Sequence, residues 1–251
     1  KQGDNQREKM TIAVEFKNVT KKYGSVDVIK DFNLQIDQGD FLCIVGTSGS
    51  GKTTIMKMIN GLVKPTSGDV FIGEKRLEDE NLIELRRKIG YAIQGNGLFP
   101  HMSVFENISY VPNLDKRSKA ELDKTVDETM ELVGLPQNMK YRYPDELSGG
   151  QQQRVGIARA YANNPDVLLM DEPFGAVDSI TRYQLQKDLK DIHRKTNCTV
   201  VFITHDIHEA FKLATHILVL SEGKIEQYGT KEEIRNNPSG DFVKRLIEMT
   251  Q

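Results

Sequence analysis

The residues with the clearest chemical purpose lie in Gly46-Thr47-Ser48-Gly49-Ser50-Gly51-Lys52-Thr53, which fits the pattern G-x-x-x-x-G-K-[ST]. An apolar strand at 41–45 runs into it, and a helix beginning at Lys52 leads out with Ile55, Met56 and Ile59 on its inner side. A triphosphate needs many donors brought close without side chains in the way. Glycines let the backbone wrap tightly enough for successive N–H groups to point at phosphate oxygens. The following helix adds the positive end of its dipole. Lys52 supplies a mobile cation for the β- and γ-phosphates, the Thr53 hydroxyl can ligate Mg²⁺, and Thr54 continues the same first turn. Val167-Leu168-Leu169-Met170-Asp171-Glu172 ends a strand on two carboxylates, at the end where open α/β sheets place ligands. Asp171, nearer the strand, can hold the Mg²⁺ shell. Glu172, one step further, can orient or deprotonate a water aligned with the γ-phosphate. Together the motifs imply nucleotide binding and point to hydrolysis.

Such groups must be held by parallel strands buried on both faces. Continuous apolar runs at 41–45, 167–170 and 199–203, joined by 217–220, read as those strands because helical patterns separate them. Helices are expected at 52–60, 81–88, 119–133, 151–162, 179–195 and 206–214, with a last one at 242–248. Segments 12–16, 26–29 and 32–36 alternate apolar and polar residues, which marks a small, largely antiparallel sheet with one wet face. A piece at 69–72 joins it after the turn Pro65-Thr66-Ser67-Gly68. The stretch at about 95–162 is mostly helical in pattern, punctuated by Pro100, Pro112, Pro136 and Pro144, and reads as an insertion. The expected fold class is α/β: a mainly parallel sheet, an antiparallel β subdomain and a helical subdomain. The domain spans 10–251, with its core at about 10–94 and 163–251 and the helical subdomain at about 95–162. Residues 1–9 are charged and featureless, either a flexible start or residues preceding a true start at Met10.

The chain has 251 residues, 38% hydrophobic and 28% charged, which is ordinary for a soluble globular protein. A net charge of −2 offers no basic excess for nucleic acid and no acidic tail. Cys43 and Cys198 sit inside apolar runs and read as buried reduced thiols rather than a disulfide. No apolar stretch approaches the ~20 residues that cross a bilayer, and the polar N-terminal segment lacks a secretory apolar region. The expectation is a cytosolic chain that reaches a membrane only through another polypeptide.

Leu147-Ser148-Gly149-Gly150-Gln151 narrows the field. Ser148 is a good N-cap, and two glycines leave the N–H groups of the next turn uncovered, a second anion site. Placed one helix before the Asp-Glu strand, the string resembles the signature of the ABC ATPases, and the ordered motifs carry that resemblance from Phe16 to Glu248. The resemblance implies a P-loop NTPase core, ATP and Mg²⁺ as cofactors, and ATP hydrolysis. It also implies a head-to-tail homodimer, in which Ser148, Gly149, Gly150 and Gln151 of one copy cap the γ-phosphate on the other's loop. Tyr23, in Lys21-Lys22-Tyr23-Gly24, matches the aromatic that stacks on adenine, although alone it reads as a half-buried strand residue. Gln94 matches the glutamine that links metal and water to the transmembrane partner, and so joins Thr53 and Asp171 on the metal side. His205 matches the switch histidine that contacts the γ-phosphate, catalytic alongside Glu172 and Gln94. Asp178 is expected to organise the dimer interface, while Gly175 and Val177 replace the Ser and Leu of many members, which removes one cross-subunit hydroxyl. His101, His193, His208 and His216 match no role.

A single module without fused spans resembles bacterial import systems more than exporters. The missing long coiled coil and tandem module argue against DNA-repair and translation members. Leu98, Phe99, Met102, Val104 and Phe105 form an apolar cluster, read either as a docking groove for a membrane subunit's coupling helix or as internal packing. Gly97-Leu98-Phe99-Pro100-His101, with Glu172-Pro173-Phe174-Gly175, resembles the osmoprotectant group that imports glycine betaine, choline or carnitine. That resemblance implies permease subunits and, indirectly, a solute-binding protein as partners, no nucleic acid, and a place on the cytoplasmic face of the membrane. An importer of amino acids or polyamines, or a soluble ABC ATPase acting on nucleic acid or a protein complex, stays open as an alternative. Members of the group often continue into a pair of ligand-sensing modules; ending at Gln251, this chain is either a short member or a shortened one.

Overall fold

The computed structural model describes residues 11–95, 97–175 and 177–248. The readings made for 1–9, Met10 and Gln251 lie outside the described residues, as do Asn96 and Ala176. In chain order the elements are β1 (Ile12–Tyr23), β2 (Val26–Asp37), β3 (Phe41–Gly46), α1 (Lys52–Ile59), β4 (Ser67–Ile72), β5 (Lys75–Arg76), α2 (Leu82–Lys88) and β6 (Ile89–Ala92). Three helices follow, α3 (Val104–Leu114), α4 (Lys119–Leu132) and α5 (Gly149–Tyr161). The chain then returns through β7 (Val167–Asp171), α6 (Ser179–Thr196), β8 (Thr199–Thr204), α7 (Ile207–Leu213), β9 (His216–Ser221), β10 (Lys224–Thr230), α8 (Lys231–Asn236) and α9 (Asp241–Glu248).

The apolar runs form the six-stranded sheet β10-β9-β3-β8-β7-β6, parallel except at its β10 edge. All residues of β3, β7 and β8 are buried, because helices or the second sheet cover both faces. Alternate residues of β3 face opposite cores. Phe41, Cys43 and Val45 pack with the helices α3 to α7, while Leu42 and Ile44 pack with α1 and the antiparallel sheet β2-β1-β4-β5. Val104, Ile108, Val126 and Met130 of the helical stretch continue the first core without a break. Both cysteines are free and buried, and burial pushes the Cys198 thiol up to about 12.

Register decides where function sits. Phe41 pairs with Val200 and Val45 with Thr204; Asp171 pairs with Ile203, and Ala92 with Met170. The C-terminal ends of β3, β8, β7 and β6 therefore form one rim.

The predicted helices appear with ends shifted by no more than two residues. Three features differ. The short segments 12–16, 26–29 and 32–36 are parts of two twelve-residue strands, because the register shifts between them at bulges and Asn18 and Asp31 take left-handed φ of 49° and 47°. Pro112, which reads as a break, lies inside α3, whose start is fixed by a reciprocal Ser103–Glu106 cap. The polar edge strand β10 and the short α8 carry no apolar run and went unpredicted.

Candidate nucleotide site

The phosphate loop links β3 to α1. Gly49 and Gly51 adopt φ of 78° and 100°, and a Cβ on Gly46 would lie 2.1 Å from the Leu220 carbonyl oxygen, so these positions need glycine. Lys52 is buried, and its ammonium donates to the carbonyl oxygens of Gly46 at 2.9 Å and Thr47 at 2.8 Å. Burial lowers the Lys52 pKa, while the charges of Glu172 and Asp171 act in the opposite direction. Thr53 Oγ1 donates to Asp171 Oδ1 at 3.4 Å, which joins α1 to the end of β7. Burial raises the Asp171 pKa and the Glu172 charge adds to it, against the Thr53 hydrogen bond and the Lys57 and Lys52 charges.

Glu172 leaves β7 with φ of 45°, a left-handed conformation unusual for a residue with a Cβ, while its N–H donates to Ile203 O at 3.0 Å. Its Oε2 meets two groups from neighbouring strand ends. Gln94 Nε2, past β6, donates to it at 3.4 Å, and His205 Nδ1, past β8, lies 3.6 Å away. Tyr23, ending β1, is 49% exposed with Lys21 Nζ 4.9 Å from its ring centroid. A cleft of about 610 Å³ gathers Tyr23, Ser48, Gly49, Ser50, Gly51, Lys52, Thr53, Thr54, Gln94, Glu172 and His205. It also includes Val28, which the sequence marks only as a strand residue.

The rest of the predicted set stands apart. Ser148 caps α5: its Oγ accepts from Gln151 N at 3.3 Å, and Gln151 Oε1 accepts from Ser148 N at 2.9 Å. Ser148 and Gly149 are exposed, and a Cβ on Gly150 would meet Thr181 Cγ2 at 2.5 Å, which seats α5 on the start of α6. Asp178 caps α6, with Oδ1 accepting from Ile180 N at 3.1 Å and Thr181 N at 3.0 Å. The hydrogen bonds to Thr181 lead in lowering its pKa. None of Ser148, Gly149, Gly150, Gln151 and Asp178 lines the cleft of its own chain.

The apolar cluster past Gln94 divides. Val104 is in the core, with Leu98 and Phe105 packed against it, while Phe99 lies half-buried between Tyr110 at 4.9 Å and the Arg159 guanidinium at 5.1 Å. Among the other histidines, His193 Nε2 bonds Gly39 O at 2.9 Å and His216 Nδ1 bonds Asp40 Oδ1 at 3.1 Å, both at the opposite end of the sheet. No described helix is long and apolar enough to cross a membrane. Among the described residues no three His, Cys, Asp or Glu side chains cluster as a metal cage. The oxygen donors Thr53, Asp171 and Gln94 instead suit a cation that keeps waters and phosphate oxygens as its other ligands, as Mg²⁺ does.

The family profile described as ABC transporter matches residues 29–175. The chain is 48% identical over 234 residues to the glycine betaine uptake system ATP-binding protein YehX of Escherichia coli, covering 93% of this chain and 76% of that protein. It is 48% identical over 235 residues to the carnitine transport ATP-binding protein OpuCA of Listeria monocytogenes, covering 93% of this chain and 59% of that protein. The chain thus spans less than two thirds of the second relative's length. A dimeric ATP-binding cassette solved in a post-hydrolysis state with ADP and Pi superposes with a TM-score of 0.77 at 38% identity, covering 86% of this chain and 98% of that one. With more than half of its residues matched by the profile, and relatives at this identity along nearly its whole length, the chain belongs to the ABC transporter family as an ATPase cassette.

Proposed function

We propose that this chain drives a membrane importer: two copies clasp two ATP molecules, and hydrolysis is coupled to uptake of a quaternary-amine osmoprotectant such as glycine betaine, carnitine or choline. The observation that carries the reading is the convergence of Gln94 and His205 on one Glu172 oxygen beside the phosphate loop. Tyr23 stacks on adenine, and the N–H groups of 46–51 with Lys52, Thr53 and Thr54 hold the phosphates. Lys52 turns from the Gly46 and Thr47 carbonyl oxygens to the β- and γ-phosphates. Bound Mg²⁺ supplies charge neutralisation at those phosphates, held by Thr53, Asp171 and Gln94. Glu172 takes the proton of the attacking water, Gln94 orients that water, and His205 steadies the γ-phosphate. Ser148, Gly149, Gly150, Gln151 and Asp178 serve the other copy's cleft, which fits their position away from their own and the exposure of Ser148, Gly149 and Asp178.

The names of the similar proteins, glycine betaine and carnitine transporters, support the solute class. The chain then works at the cytoplasmic face through permease subunits that seat near Gln94 and Phe99, with a solute-binding protein further along and no nucleic acid. Each copy has its core at about 10–94 and 163–251 and its helical part at about 95–162, and the pair closes on ATP and reopens after hydrolysis, drawing only on the difference in ATP affinity between the two states. The test is ATP hydrolysis over a dilution series, with uptake of labelled glycine betaine, carnitine and choline into vesicles that carry the chain and its permease. The specific rate is expected to rise with concentration. A rate indifferent to dilution overturns the paired arrangement, and uptake of none of the three overturns the solute.

A further inference from the structure

Glu209 is 6% exposed on α7, and the chemistry above gives it no task. A buried carboxylate is costly unless its oxygens are bonded. Here both are: Thr204 Oγ1 donates to Oε2 at 2.6 Å, and Gln186 Nε2 of α6 donates to Oε1 at 3.0 Å. The same Thr204 oxygen accepts the Asp206 N–H at 3.0 Å. Asp206 in turn accepts the His208 N–H at 2.8 Å as the cap of α7. Both residues that flank His205 are therefore tied to one carboxylate. His205 itself is 68% exposed, with Nδ1 3.6 Å from Glu172 Oε2. With so little packed around it, the imidazole takes its direction from the turn on which it rides. Gln186 extends the network, since its Oε1 accepts from Lys212 Nζ at 2.8 Å. It also sits on the helix that Asp178 caps.

We infer that Glu209 is a positioning residue for His205: with Thr204 and Gln186 it clamps the turn at 204–206 and ties it to α6. The inference rests on the reading of His205 as the γ-phosphate contact. A purely structural carboxylate would hold α7 in place without steering the imidazole.

Thr204→Val keeps shape and removes both the donor to Glu209 and the acceptor for Asp206, whereas Thr204→Ser keeps the hydroxyl. For Thr204→Val, kcat is expected to fall about tenfold to a hundredfold, the scale of a misplaced catalytic group, with KM for ATP within about twofold. The His205 ring resonance in histidine-labelled protein, read by NMR at fixed pH without nucleotide, should shift and broaden. Thr204→Ser should restore both. Unchanged kcat, an unmoved His205 resonance, or a serine variant as impaired as the valine one overturns the proposal. If circular dichroism shows the valine variant unfolded, Glu209→Gln, which exchanges one accepting oxygen for a donor, is read by the same kcat and His205 resonance, and an unchanged kcat or an unmoved resonance overturns the proposal. Wild-type protein that binds ATP without hydrolysing it would instead overturn the functional reading, while the NMR comparison would still report on the clamp.

Discussion

Glu172 sits in a backbone conformation that favours glycine, at the point where the proposed water must be activated. Strain of this kind costs on the order of 1–3 kcal/mol and persists only where surroundings over-determine it, here the Ile203 bond and the groups converging on its carboxylate. Glu172→Gln keeps the shape and the Gln94 contact but loses the base. ATP binding by equilibrium titration is expected to hold while phosphate release slows by at least ~10²-fold, the usual general-base contribution. Turnover that survived would move the base elsewhere. The carboxylate and its place after an apolar run were legible in the sequence; its φ was not, because Ile203, Gln94 and His205, which meet it, lie far from it along the chain. A second residue-scale effect joins His216 to Asp40. The hydrogen bond to Asp40 raises the His216 pKa, so its contribution is complete below the usual 6.5 and fades as pH rises through the folded value. Burial pushes Asp40 up, but the His216 hydrogen bond and charge, together with hydrogen bonds from Thr215 and the Asp37 backbone, lower its pKa; its contribution holds above the usual 3.8 and is lost as pH falls through the folded value. The pair is strongest between those limits. His216→Asn should cost about 1 kcal/mol at pH 5.5, discounted for partial exposure, and less at pH 8.5. Thermal midpoints at the two pH values check it. Nothing in the sequence hints at this pair, whose members are 176 positions apart.

Helix α5 begins on a residue given two jobs. Ser148 satisfies the first turn of its own helix through the reciprocal bond with Gln151, and its exposed side is the surface proposed for the other copy's phosphate. Ser148→Arg should abolish hydrolysis while leaving ATP affinity of the lone chain unchanged. Loss of the cap should lower stability by about 1 kcal/mol, read from the denaturation midpoint. Collapse of affinity would mean that α5 had come off α6. Elements of this kind were readable where periodicity and chemistry agreed: the capping serine, the apolar strands and the glycine-rich turn before α1. They were hidden where they disagreed. Pro112 punctuates α3 by its type although Ser103 and Glu106 already announce the helix, and β1 continues past Phe16 only because bulges let it bend while staying paired with β2. The polar β10 needs only the free edge of β9 to pair, and no periodicity marks that.

One core joins the functional rim to the rest of the molecule. Phe202 of β8 is fully buried, with ring centroids 5.9 Å from Phe41 and 5.5 Å from Phe174, so the strand before His205, the strand before the phosphate loop and the segment after Glu172 meet on one side chain. Phe202→Ala should destabilise the whole chain by about 3–5 kcal/mol, as one cooperative loss in denaturant, with hydrolysis lost in the same transition. A separate early loss of activity would show that the rim is held independently. The strand order has a further consequence for how the protein is made. Among the described residues β3 pairs only with β8 and β9. During synthesis, the ribbon that carries the phosphate loop must therefore wait, wholly apolar and without neighbours on either edge, until Thr199–Thr204 emerges from the ribosome. Nascent chains stalled before that point should lack nucleotide affinity and depend on holding chaperones, and affinity should arrive abruptly once Thr199–Thr204 has emerged.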